Sequence, residues 1–131
     1  MKNSLYIVLI TLCFACKTDD PQIQLLVGQW LKTERLEQTW IPLSTADKQT
    51  LIFKADGTVA GTDPILDGNE CNWARQYTYQ PYTGSRLVFK YSEPECISIY
   101  YHPIPEYRVV SLSEDALVIS VNQQLLKYKR Q

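Results

Sequence analysis

The sequence predicts an all-β fold, a small up-and-down antiparallel β-barrel of about eight strands. Three observations predict it. Tyr, Val, Ile, Thr, Trp and Phe crowd into short runs from Val27 onward, the composition of pleated, half-buried surface. Several runs alternate apolar and polar residues, and no stretch sustains the 3.6-residue apolar period of a helix. Tight, turn-rich breaks join the runs, which favours sequential antiparallel pairing. A sheet of that many strands curls, and closing it removes the exposed edges. A two-sheet sandwich is the alternative for the same pattern.

In chain order, strands are expected at Gly28–Glu34, Arg35–Ile41, Thr50–Lys54, Thr58–Gly61 and Trp73–Gln80. Others follow at Arg86–Tyr91, Ile97–Tyr101, Glu106–Leu112, Ala116–Val121 and Gln124–Lys129. The first two read equally as one long bent strand. Ala55-Asp56-Gly57 has hairpin-turn chemistry, because glycine accepts a positive φ without steric cost. Thr83-Gly84-Ser85 and Ser113-Glu114-Asp115 serve similarly, and Asn122-Gln123 links the last two strands tightly. Alternation places Trp73, Arg75, Tyr77 and Tyr79 on one face of their strand. It sets Leu87, Phe89 and Tyr91 against Arg86, Val88 and Lys90, and Leu117, Ile119 and Val121 against Ala116, Val118 and Ser120.

The first sixteen residues read as an address. Lys2 is followed by a nearly all-apolar run, Leu5 to Phe14, and then by the abruptly polar Lys17-Thr18-Asp19-Asp20-Pro21. That is the layout of a secretory signal, and the run is too short to span a bilayer, which takes about 20 residues. With Cys16 directly after the small Ala15, the segment resembles a bacterial lipoprotein signal, cut before Cys16 with Cys16 then acylated. The expected organisation is a signal over 1–15, a lipidated tether over 16–26 and the barrel domain over 27–131. Asp19-Asp20 before Pro21 is expected to disfavour regular structure, with at most a helical turn around Ile23-Gln24-Leu25-Leu26. Cleavage removes 15 of the 131 residues and leaves 116, enough for one domain with a sizeable core. Losing Lys2 leaves 12 basic residues against 14 acidic, formally −2, with no block of like charge to suggest nucleic acid.

Cys71 and Cys96 remain as an even pair once Cys16 is set aside. In an oxidising compartment they are expected to form a disulfide, which would stabilise by about 3–4 kcal/mol. The expected meander, with Arg86–Tyr91 as the one strand between the cysteine-bearing loops, puts both at the same rim. A metal pair is the competing reading, disfavoured because His102 is the only histidine and four-ligand spacing is absent.

Leu26-Val27-Gly28-Gln29-Trp30 places Gly-x-Trp at the start of the first strand, which resembles the opening signature of lipocalins. Leu51 to Val59 and the ending Leu117-Val118-Ile119-Ser120, turn, Leu125 to Arg130 resemble small lipocalin-like lipoproteins of Bacteroidetes-type bacteria. The resemblance spans nearly the whole mature chain. It implies a small barrel that binds an apolar molecule, located in the cell envelope as an outer-membrane lipoprotein facing the periplasm or the cell surface. It implies structural roles for Gly28 and Trp30, with Trp30 plugging the closed end under a basic residue of the last strand, Arg130 or Lys129. Lipocalins proper are longer and carry a Thr-Asp-Tyr motif where this chain has Thr62-Asp63-Pro64, so no specific ligand is carried over.

Trp73, Arg75, Tyr77 and Tyr79 are the candidate ligand-binding residues. Rings with one fixed cation suit an amphipathic anion. The same rings equally fill a solid barrel, since eight strands leave room for side chains or one small ligand. Tyr100, Tyr101 and Tyr107 read as rim aromatics for a protein partner or as ordinary strand residues. Asp63, Asp67, Asn69 and Glu70 share a loop, but their spacing is not that of an EF-hand, so a solvated acidic loop is expected. Glu93 and Glu95 flank Pro94 in what reads as a solvated connection. No Gly-x-Ser-x-Gly elbow, phosphate-cradling glycine loop or His-rich metal motif is present. The expectation is a non-enzyme without cofactor or metal. Two functions lead, a small apolar ligand held in the barrel or a protein partner bound at its rim or outer face, with a hydrolase as the least favoured third.

Overall fold

The computed structural model describes residues 20–69, 72–92 and 105–131. The expected lipidation site Cys16, the Cys71–Cys96 pair, His102 and the strand Ile97–Tyr101 lie outside the described residues. Among the described residues a short helix, α1 (Pro21–Leu26), precedes ten strands. They are β1 (Gly28–Leu36), β2 (Trp40–Pro42), β3 (Thr50–Phe53), β4 (Val59–Gly61), β5 (Asp67–Asn69), β6 (Asn72–Gln80), β7 (Arg86–Tyr91), β8 (Tyr107–Leu112), β9 (Ala116–Val121) and β10 (Gln124–Arg130).

Eight of them form a nearly closed antiparallel barrel. The hydrogen-bonded order runs β4-β3-β1-β10-β9-β8-β7-β6, with β5 beyond β6 and β2 appended to β1. The first and last of the eight meet through a bridge between Thr58 and Gln76. There the Tyr77 amide donates to the Gly57 carbonyl at 2.9 Å. The all-β, up-and-down barrel read from the sequence is therefore the observed architecture.

Several local expectations change. Arg35 continues β1, and the chain then turns back as β2, pairing Leu36 with Trp40 and Glu34 with Pro42. The two segments are thus a hairpin and not one bent strand. Asp20 and Pro21 start a helix instead of preventing one. The Asp20 carboxylate accepts from the Gln22 amide at 2.8 Å, and proline occupies the first helical turn, where its missing N–H costs nothing. The expected order put Ile97–Tyr101 between β7 and Glu106–Leu112. In the structure β8 pairs with β7, Leu87 opposite Tyr107, while the start of β6 lies beside the end of β7, Ala74 opposite Tyr91, the antiparallel arrangement from which one rim was expected for Cys71 and Cys96.

Three bulges set which side chains enter the barrel, in β1 between Lys32 and Glu34, in β6 between Ala74 and Gln76, and in β8 between Val109 and Ser111. A bulge adds one residue to one strand and reverses the facing of the residues after it. The turns keep the expected chemistry. Gly57 sits at φ +83°, and Asn122 and Gln123 both take the left-handed region at +48° and +69°, as a two-residue hairpin turn of mirror type requires.

The core occupies the barrel axis. Phe53 meets Tyr77 edge-on at 4.8 Å between ring centroids, and Phe89 meets Tyr107 likewise at 5.1 Å. Leu51, Leu87, Leu117 and Ile119 fill the space between them. Both ends are covered from within the chain. Leu26 of α1 is fully buried beneath the start of β1. Val59 lies level with Phe53 and Gly28, so β4 runs away from that end. The 3-10 turn that follows it, Pro64–Leu66, buries Ile65 and Leu66.

Candidate functional site

At the α1 end, Trp30 is fully buried and its indole Nε1 donates to the Leu26 carbonyl at 2.8 Å. Arg130, the last residue of β10, stacks its guanidinium 4.2 Å from the Trp30 ring centroid. Between Lys129 and Arg130, the basic residue on the tryptophan is Arg130. The same guanidinium donates to the carbonyls of Val27 (2.8 Å), Leu25 and Glu114. It thereby ties α1, β10 and the β8–β9 turn together. Gly28, at φ +147°, leaves the room, because a Cβ there would collide with the Arg130 guanidinium. Gly28, Trp30 and Arg130 therefore form one structural cluster.

The candidate ligand-binding face is divided. The β6 bulge turns Ala74 into the core and leaves Arg75 exposed. Trp73 is half-buried against the core, while Tyr77 and Tyr79 are buried within it. Arg75 does not share an interior face with Tyr77 and Tyr79, so the expected pairing of rings with a fixed cation is not formed. Tyr77 donates its hydroxyl to the Lys54 carbonyl at 2.9 Å. Tyr107, read from the sequence as a rim aromatic, is 4% exposed and donates to the Ile65 carbonyl at 3.2 Å.

The end of the barrel opposite α1 holds a buried charge that sequence reasoning placed in solvent. Asp63 is fully buried. Its carboxylate lies 2.9 Å from Lys32 Nζ, accepts from the Tyr128 hydroxyl at 2.9 Å, and accepts from the Ile65 amide at 3.1 Å. Gln49 Oε1 takes a further Lys32 proton at 3.0 Å. A buried carboxylate survives only when paired and hydrogen-bonded, and here both conditions hold. Asp63 also caps the turn Pro64–Leu66, so the pair fixes the segment that fills this end. Burial and the neighbouring Asp63 charge push the Tyr128 hydroxyl well above the usual tyrosine range, and burial pushes Tyr107 up in the same way. These hydroxyls stay protonated and act as donors.

Outside the barrel wall the chain forms a cleft of about 470 Å³. It lies over the outer face of β1 and β10, between the connection after β2 and the start of β9. Pro42, Leu43 and Ala116 supply its apolar surface, and Lys48, Lys127 and Lys129 its cations. Lys127 is held by Glu34 at 2.8 Å and sits 5.2 Å over the Trp40 ring. Sequence reading missed this cleft because its residues come from separated segments that only the fold brings together. No protein family, curated protein or solved structure matches the chain.

Proposed function

We propose that this chain is a lipocalin-like envelope lipoprotein, anchored through Cys16, that binds its partner on the outer face of the barrel and carries out no catalysis. The observation that carries the reading is the occupied interior. A lumen that admits a ligand keeps its axis open. Here the axis is taken by the Phe53, Tyr77, Phe89 and Tyr107 rings and by the Lys32–Asp63–Tyr128 network. Displacing that network would strand a buried charge, at a cost of about 3–5 kcal/mol. The stacking of Arg130 on Trp30 supports the lipocalin-like part of the reading. The charged start, apolar run and Ala15-Cys16 junction support the anchor.

Titration with a fluorescent long-chain fatty acid tests the outer-face reading. Binding weaker than micromolar is expected, unchanged in Tyr77→Ala. Tight stoichiometric binding lost in Tyr77→Ala would move the ligand into the barrel and overturn it. For the anchor, Cys16→Ser is expected to release the protein from membranes after a high-salt wash. Continued partitioning of that variant with the membrane would remove the anchor.

A further inference from the structure

We propose that the outer cleft is a binding site for a small organic acid, a carboxylate carried on a compact apolar body. The inference rests on the reading that the protein binds outside its barrel. The volume of about 470 Å³ falls within the range of small-molecule pockets, roughly 300–1,000 Å³. The cleft is walled on one side by the connection after β2 and on the other by Asp115 and Ala116, which limits the length of what fits.

Charge decides the class of ligand. Of the three lysines at the cleft, Lys127 is already occupied by Glu34 at 2.8 Å and by the Trp40 ring. Lys48 and Lys129 form no ion pair among the described residues, and both are exposed. Of the two acids at the cleft, Glu34 is paired with Lys127, and Asp115 stands on the same wall as Lys129, whose ladder partner is Ala116. Asp115 repels a carboxylate and so directs the head toward Lys48 on the facing wall, with the body against Pro42, Leu43 and Ala116. Among the described residues no arginine lines the cleft, so its cations are point charges that pair with an anionic head without a bidentate fork. Two flexible point charges beside apolar surface suit a carboxylate.

The test follows backbone amide shifts of the isotope-labelled protein during titration with hexanoate, hexanamide and the blocked tripeptide acetyl-Gly-Gly-Leu. Hexanoate is expected to shift Leu43, Lys48, Ala116 and Lys129 saturably. Hexanamide, which lacks the charge, is expected to bind about fivefold more weakly or worse. The double variant Lys48→Gln/Lys129→Gln is expected to lose affinity to the same degree while keeping its urea midpoint. Absence of saturable shifts, or equal binding of the amide, overturns the cleft site and leaves the outer-face reading standing. Shifts at Phe89 and Tyr107 instead overturn both. Preference for the tripeptide overturns the small-acid identity and assigns the cleft to a protein C-terminus.

Discussion

Replacing Asp63 by Ala is expected to bring the barrel close to unfolding. Asp63 is fully buried, and Lys32, 7% exposed, has its ammonium 2.9 Å away. Without the carboxylate, that ammonium keeps Gln49 Oε1 at 3.0 Å and the face of the Tyr128 ring at 5.9 Å, neither of which neutralises it. Removing one partner of a buried pair costs about 3–5 kcal/mol, because the other charge is left uncompensated. The Tyr128 hydroxyl and the Ile65 amide lose their acceptor as well, each adding about 1 kcal/mol or more. Against a total stability of roughly 5–15 kcal/mol for a domain, the sum is a large part of the whole. Lys32→Met leaves the mirror defect, a buried carboxylate with two neutral donors. The double variant Lys32→Met/Asp63→Ala removes both charges and is expected to recover at least about 2 kcal/mol of the summed single costs. Urea denaturation of the four proteins, read as midpoints at constant slope, measures the cycle. Single costs below about 1 kcal/mol, or strict additivity in the double variant, would refute a buried, mutually dependent pair.

Three further outcomes rest on the same structure. Arg130→Ala removes the stacking on Trp30 and three donated hydrogen bonds, so a loss of about 2–3 kcal/mol is expected, with hydrogen exchange in Gln22–Val27 rising first. Gly28→Ala is expected to have a similar exchange signature, because its Cβ would displace the Arg130 guanidinium; unchanged protection in either variant would separate α1 from this cluster. Raised hydroxyl pKa values at Tyr77, Tyr91, Tyr107 and Tyr128 make stability fully present below the unfolded tyrosine value of about 10 and lost as pH climbs beyond it. Ultraviolet titration should therefore show these tyrosines ionising only together with unfolding, and Tyr107→Phe should flatten the fall in the urea midpoint.

What was legible in the sequence came from local chemistry. Alternation located the barrel strands from Thr50 to Gln124 within a residue or two, because one face of each is buried and a period-two pattern records it. The Trp30–Arg130 stack was legible through the resemblance, while the room that Gly28 leaves for the guanidinium appeared only in the structure. Asp63 was not, since nothing in Thr62-Asp63-Pro64 announces a lysine 31 residues upstream and a tyrosine 65 downstream. Its burial is a tertiary fact that composition cannot encode. The bulge after Ala74 was equally invisible, and it alone moved Arg75 from the expected inner face to the outside. The helix at Pro21–Leu26 was legible in principle, for Asp followed by Pro is a start signal as well as a break.

Native mass spectrometry of the protein purified from its own cells tests the central claim, an occupied interior with binding outside it, most directly. The account predicts the mass of the mature chain with its covalent modifications and no tightly retained small molecule. A stoichiometric apolar adduct that survives purification and disappears in Tyr77→Ala would contradict it.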